Sequence, residues 1–239
     1  MSAGRPEDAQ AVALRPYGED ALLVDVPDAE RARALGRRLV AELPGLVVDA
    51  VPSAVSVLVR LAPGWPTEHA RDVVAGLVAG PAADAAGPAA DPAGAVVEIP
   101  VAYDGADLAE VAARCGLTPA EVVQRHTAPT YTAAFAGFAP GFVYLEGLDP
   151  LLVLPRRDDP RTRVPAGSVA IAADHTAVYP RESPGGWHLL GRTDVAMFDA
   201  AADPPARVRP GDRVRFVAEN LDVDAAVDAA VDAGAGAGR

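Results

Sequence analysis

Gly137-Phe138-Ala139-Pro140-Gly141-Phe142-Val143-Tyr144-Leu145, followed by Glu146-Gly147-Leu148, sets three glycines and three aromatic residues into twelve positions. Such spacing breaks any helix and keeps every apolar run short, which is the pattern of strands joined by tight turns. The same punctuation continues downstream at Pro155, Pro165, Gly167, Pro180, Pro184, Gly185 and Gly191. From His126 onward the chain therefore reads as a compact β-barrel or sandwich. Its last strand is expected at Arg213 to Ala218, introduced by the turn Pro210-Gly211-Asp212.

Upstream of this block, Val96 to Tyr103 reads as a strand, and Pro100 inside it points to an edge or a bulge. Two short helices are expected at Asp107 to Arg114 and Ala120 to His126. The second opens on the capping box Thr118-Pro119-Ala120-Glu121. Residues 81–95, almost wholly Ala, Gly, Pro and Asp, cannot bury enough surface to offset chain entropy and read as a linker. Ahead of it, residues 1–80 alternate strand and helix. Ala21 to Val26 is a compact apolar run, and Leu35, Leu39 and Leu43 share one helical face. Two strands follow around Pro52-Ser53, then a helix over Glu68 to Val78. The chain is thus expected to hold a small α+β domain over 1–80, the linker over 81–95, a mostly-β domain over 96–220, and a mobile tail over 221–239.

Bulk chemistry narrows the function. A formal charge of -12 opposes binding to nucleic acid or to an anionic membrane. All 21 basic residues are arginine, so this chain supplies neither a Schiff-base lysine nor the lysine of a phosphate-binding loop. The single Cys115 cannot form an internal disulfide, and the N-terminus lacks an export pattern, so a reducing cytoplasm is expected. The histidines have no metal-ligand spacing with one another or with Cys115, and no metal site is expected.

Three stretches carry chemistry. In the Gly137 to Leu148 block, Phe138, Gly141 and Tyr144 can wall a pocket, although a packed barrel corner would use the same residues. Arg156, Arg157, Arg161 and Arg163 crowd eight positions of an otherwise acidic chain, a local cationic site or a solvated rim beside Asp158 and Asp159. Gly185-Gly186-Trp187 frees the backbone just ahead of a large indole, as a ligand site or a hairpin anchor would require. His126, at the passage from helix into the glycine-rich block, can serve as acid, base or anion ligand, or be a structural residue.

Taken in order, His126, Tyr131, the Gly137 to Leu145 run, Pro155-Arg156, Arg163-Val164-Pro165-Ala166-Gly167-Ser168-Val169-Ala170-Ile171-Ala172, Tyr179-Pro180, Ser183 to Trp187 and Gly191-Arg192-Thr193 closely resemble the KipI-like family. That family is also called allophanate hydrolase subunit 1, or the B component of 5-oxoprolinase. The resemblance implies a cyclophilin-like barrel for the second domain. It also implies work as the B component of an ATP-dependent 5-oxoprolinase that converts 5-oxoproline to glutamate, with C and A components as partners and with ATP and Mg bound by the complex. By that resemblance the lactam oxygen is phosphorylated at the B and C components and hydrolysis follows with the A component. Carried over by motif, the catalytic candidates are His126, Arg163, Ser168 and Arg192; the substrate-binding candidates are Phe138, Gly141, Tyr144, Gly186 and Trp187. Related readings are one half of a biotin-dependent urea or amide carboxyltransferase, a non-enzymatic inhibitor of a sensor histidine kinase, and an orphan binding domain.

Overall fold

The computed structural model describes residues 13–79 and 96–219, so the expected linker and tail lie outside the described residues. The chain divides into two compact units, Met1–Ala90 and Asp91–Arg239. In the first, strands β1 (Leu14–Pro16), β2 (Ala21–Asp25), β3 (Val47–Pro52) and β4 (Ser56–Leu61) form an antiparallel sheet in the order β1-β2-β4-β3. Strand alternation sends Leu22, Val24, Val57, Val59 and Leu61 to one core. There they meet Ala32, Leu35 and Leu39 of helix α1 (Ala29–Glu42) and Ala70, Val74 and Val78 of helix α2 (Thr67–Ala79). Helix α1 begins where Asp28 accepts a hydrogen bond from the Arg31 amide at 2.8 Å, satisfying one of the helix's free N–H groups. Each fully buried Leu or Val contributes about 1.5–3 kcal/mol by leaving water.

The second unit holds β5 (Val96–Val101), α3 (Leu108–Cys115), α4 (Pro119–Thr127), β6 (Tyr131–Ala136), β7 (Val143–Glu146), β8 (Arg161–Val164), β9 (Ser168–Ala172), β10 (His175–Val178), β11 (Ser183–Gly185), β12 (His188–Arg192) and β13 (Arg213–Ala218). Seven strands make one sheet, ordered β12-β9-β10-β7-β6-β13-β5, and β8 pairs with β11 in a separate ribbon. Every pair in the seven-stranded sheet is antiparallel except β5 with β13. That parallel pair joins the first and last strands of the unit, a pairing no local sequence pattern announces. Pro100, which can donate nothing to a ladder, lies on the terminal strand β5. The capping box at Thr118 and Glu121 forms as expected, and Gly116 ends α3 in the left-handed region at φ 67°.

The two ends of the sheet meet. Ala102, one residue past β5, exchanges two 2.9 Å backbone hydrogen bonds with Arg192 at the end of β12, so the mostly-β sheet nearly closes on itself. The Gly105 and Asp107 amides extend the seam by donating to the Leu190 and Leu189 carbonyls at 3.1 and 3.0 Å. Closure at this distance requires glycine: a Cβ on Gly191 would collide with the Ala102 carbonyl oxygen, and one on Gly105 with the backbone of Leu189 and Leu190.

Strand β9 is buried on both faces. Its larger residues, Val169 and Ile171, enter the main core with Tyr103, Val122, Leu145 and Phe216. Its alanines, Ala170 and Ala172, underlie a second cluster of Phe142, Val164, Tyr179, Trp187 and Leu189. Alternating large and small residues thus lets one strand serve a deep core and a shallow aromatic layer.

Replacing Gly191 by alanine is expected to destabilise the second unit by about 3 kcal/mol, because its backbone neighbours cannot yield cheaply. Gly137→Ala, where an added Cβ has nothing within 4 Å, is expected to cost less than about 1 kcal/mol. Urea unfolding followed by circular dichroism separates the two.

Candidate functional site

The Gly137 to Leu145 run forms the exposed corner of the aromatic layer. Three backbone hydrogen bonds tighten it: Gly137 N–H to the Phe142 carbonyl (3.1 Å), Ala139 N–H to that of Gly137 (2.8 Å) and Phe142 N–H to that of Ala139 (2.9 Å). Gly141 takes φ 81°, and a Cβ there would lie 2.7 Å from that of Phe198. Phe138 also has positive φ, 69°, which is costly for a bulky side chain, yet the residue stands 61% exposed. Its ring meets Phe142 and Tyr179 edge to face at 5.3 and 6.5 Å. Below it Phe142, Tyr144, Tyr179 and Trp187 pack edge to face, with Phe142 to Trp187 at 5.6 Å and Tyr144 to Trp187 at 5.7 Å. Phe138, Gly141, Tyr144 and Trp187 therefore belong to one cluster. Phe138 is its exposed member, and Trp187 is a buried support.

Behind this layer the segment 155–161 is strapped to the barrel. The Gly186 carbonyl accepts from the Arg157 amide at 2.8 Å, and the Pro155 carbonyl accepts from His188 Nε2 at 2.9 Å. The sequence shows a cluster of four arginines; the structure assigns three of them to carboxylates. Arg157 and Arg161 both donate to Asp107, whose side chain is only 3% exposed, at 2.6–2.9 Å, and Asp107 also accepts from the Leu189 amide at 2.7 Å. A carboxylate so enclosed is held by hydrogen bonds from two guanidinium groups and a backbone amide, which offsets its desolvation. Arg163, 76% exposed, pairs with Glu182 at 2.7 Å on the β8–β11 ribbon. Arg156 is exposed and makes no ion pair among the described residues. Burial raises the Tyr179 phenol above its usual range, opposed by a hydrogen bond from the Trp187 backbone and by the charges of Arg156 and Arg161.

Ser168 opens β9 directly opposite Arg192 in the strand register and is buried. The Arg192 guanidinium, 61% exposed, donates from Nε to Asp104 Oδ2 at 2.9 Å across the seam. His126 takes a different position, in the core with no exposed surface. The Thr176 hydroxyl donates to the Ala170 carbonyl at 3.0 Å, so it accepts from His126 Nε2–H at 2.9 Å. Nδ1 is then left to accept from the Tyr103 hydroxyl at 2.6 Å. Burial holds this imidazole neutral, with its pKa pushed down to about 3. His126 therefore pins helix α4 to β10 and contacts no solvent-accessible surface, and a direct acid, base or anion-binding role does not suit it. Nothing in the sequence marks Asp104 or Asp107 as anchors, because their partners lie up to 88 residues away. Among the described residues, no group of three His, Cys, Asp or Glu side chains is placed to hold a metal ion, and no helix is long and apolar enough to cross a membrane.

The family model described as carboxyltransferase domain, subdomain C and D, matches residues 12–208. The chain is 52% identical over 130 residues to the B component of 5-oxoprolinase from Escherichia coli O157:H7, covering 53% of this chain and 60% of that one. It is 47% identical over 125 residues to the Bacillus subtilis (strain 168) protein of the same name, covering 51% and 52%. The chain thus spans about half to three-fifths of the length of these relatives. Among solved structures, TTHA0988 is 37% identical with a TM-score of 0.69, covering 84% of this chain and 39% of that chain. Urea carboxylase of Kluyveromyces lactis, at 16% identity and TM-score 0.64 over 91% of this chain and 23% of its own, shares the fold.

Neutral burial of His126 sets a sign for pH dependence. The unfolded imidazole titrates near 6.5 and the folded one near 3, so the unfolded state binds the extra proton and stability falls as pH drops through that window. By pH 5 this one group is expected to cost about 2 kcal/mol relative to neutral pH. The loss should be absent from the pH slope of His126→Gln in urea unfolding measured between pH 7 and 4.5.

Proposed function

The chain belongs to the carboxyltransferase domain, subdomain C and D, family, and from that premise we propose that it works as the B component of an ATP-dependent 5-oxoprolinase. The observation that carries this is the 52% identity to a protein of that name. In this reading a C component and an A component complete the enzyme, and the lactam of 5-oxoproline is opened to glutamate. The nearly closed sheet is taken as a cyclophilin-type barrel, and the cytoplasm as its compartment, in keeping with the free Cys115.

The described residues of this chain do not by themselves fit a nucleotide and magnesium site. The chain has no lysine, and its described residues offer no cluster of three metal-ligating side chains. Nucleotide and metal are therefore assigned to the assembled complex. What this chain contributes is positive charge and an apolar wall. Arg163 and Arg192 are each exposed and held by a single carboxylate, so either guanidinium can turn to an anionic group of substrate or to charge developing on the lactam oxygen. Ser168, buried opposite Arg192, fixes the strand end from which that arginine projects. Phe138 offers its face to an apolar ring, and Gly186 anchors the strap behind it.

With candidate C and A components present, 5-oxoproline-dependent ATP hydrolysis and glutamate release are expected to need all three chains. Arg163→Ala and Arg192→Ala are each expected to lower that activity by about 100-fold, the scale for removing one charge-stabilising donor, while the complex still assembles. Full activity in both variants overturns the assigned roles. An assembled complex that is silent with 5-oxoproline but transfers carboxyl groups with biotin would replace this function with the carboxyltransferase one. Failure to bind the C component would favour a kinase-inhibiting or orphan binding role.

A further inference from the structure

We infer that Asp104 is a positioning residue for Arg192: by holding that guanidinium through Nε, it leaves both terminal amino groups as a fixed fork for an oxyanion of the reacting acid. The role rests on the 5-oxoprolinase reading for the identity of that acid. The contact that carries it is the 2.9 Å hydrogen bond from Arg192 Nε to Asp104 Oδ2. No described residue accepts from the two terminal amino groups of Arg192, and the side chain is exposed. An arginine offers a carboxylate or phosphate two parallel N–H groups on one edge, and here the edge formed by the terminal nitrogens is unused.

The way Arg192 is held sets it apart from arginines that tie the fold together. Arg161 donates from both terminal nitrogens to Asp107, at 2.9 and 2.6 Å, and Arg157 donates from one to Asp107 and Glu110. Arg125 and Arg15 likewise reach Asp149 and Asp25 through a terminal nitrogen. In such pairs the fork is occupied by the protein itself. Arg38 and Arg163 are held through Nε as Arg192 is, but Arg38 bonds Glu42 one helical turn away, and Glu182, which holds Arg163, is itself exposed. Asp104 is part-buried and stands 88 positions from its arginine in sequence, so only the closed seam brings the two together.

Both ends of the pair are fixed before any ligand arrives. Tyr103, just ahead of Asp104, is buried and donates its hydroxyl to His126 Nδ1 at 2.6 Å; Gly105, just behind it, donates to the Leu190 carbonyl at 3.1 Å. Arg192 exchanges two 2.9 Å backbone hydrogen bonds with Ala102, and Thr193 donates to the Gly167 carbonyl at 2.9 Å. An exposed arginine on its own samples many rotamers, and ordering it opposes binding. The Nε tie removes much of that freedom without covering the terminal nitrogens. Arg192 can therefore meet an oxyanion while still bonded to Asp104.

A double-mutant cycle in the assembled complex tests this. Asp104→Ala is expected to lower kcat/KM for 5-oxoproline by about 10-fold, less than removal of the arginine itself, with KM for ATP and the urea midpoint of the chain unchanged. Asp104→Asn keeps an acceptor for Nε–H and is expected to recover part of the loss. Combined with Arg192→Ala, Asp104→Ala is expected to add nothing, because its effect passes through that arginine. Additive losses, a loss accompanied by a lowered urea midpoint, or full activity in Asp104→Ala would each overturn the positioning role. Should the wild-type complex show no 5-oxoproline-dependent activity, the function proposed above fails, and the positioning is read on the chain alone. There the nitrogen–proton NMR signal of Arg192 Nε is assigned by its absence in Arg192→Lys. Protection of that signal from solvent exchange in the wild type and its loss in Asp104→Ala support the role; equal exchange in both overturns it.

Discussion

Two backbone hydrogen bonds between Ala102 and Arg192 turn an open seven-stranded sheet into one that nearly closes, and the rest of the second unit is organised around that seam. An open sheet ends in rows of unpaired amides and carbonyls; joining β5 to β12 pairs part of both edges at once. The join is possible because Gly191 and Gly105 let backbones approach where any side chain would collide. It also carries the charges into place. Asp104 and Asp107 follow the seam immediately in sequence, and they reach Arg192 on one side and Arg157 and Arg161 on the other.

Asp107 shows how one buried carboxylate can organise distant segments. It accepts from the β12 backbone and from two arginines of the strap, so the start of helix α3, strand β12 and the approach to β8 share a single anchor. The consequence for chemistry is a division of labour among arginines that look equivalent in sequence. Those serving Asp107 hold the strap, Arg163 stays in an exposed surface pair, and Arg156 is left exposed with no ion pair among the described residues. Neighbouring residues of the same type thus differ in their surroundings only by which carboxylate lies within reach.

The aromatic layer depends on the same use of space. Alanines on β9 and β10 leave room for Phe142, Tyr179 and Trp187, and their packing holds Phe138 outward. On the opposite face of β9, His126 joins Tyr103, Thr176 and the main core through a chain of hydrogen bonds that is satisfied only with a neutral ring. A histidine, a tyrosine and a threonine with no local spacing in common become one buried network because helix α4, strand β10 and the segment after β5 converge there.

From the sequence alone, the elements with strong local signals were legible: the amphipathic face of Leu35 and Leu39, the Thr118 and Glu121 capping box, the run at Arg213 to Ala218, and the glycine-punctuated β region that contains Phe138 and Trp187. Such signals are local because helix caps, turn residues and strand alternation act over a few neighbours. Family membership was legible too, through long ordered motifs. Only the tertiary structure decided the parallel pairing of β5 with β13, the burial of His126 and the sorting of the four arginines. These depend on partners separated by 50 residues or more in the hydrogen bonds of His126 with Thr176 and Arg161 with Asp107. A charge or an imidazole takes its role from what surrounds it in space, and chain closure, not local pattern, brings those surroundings together.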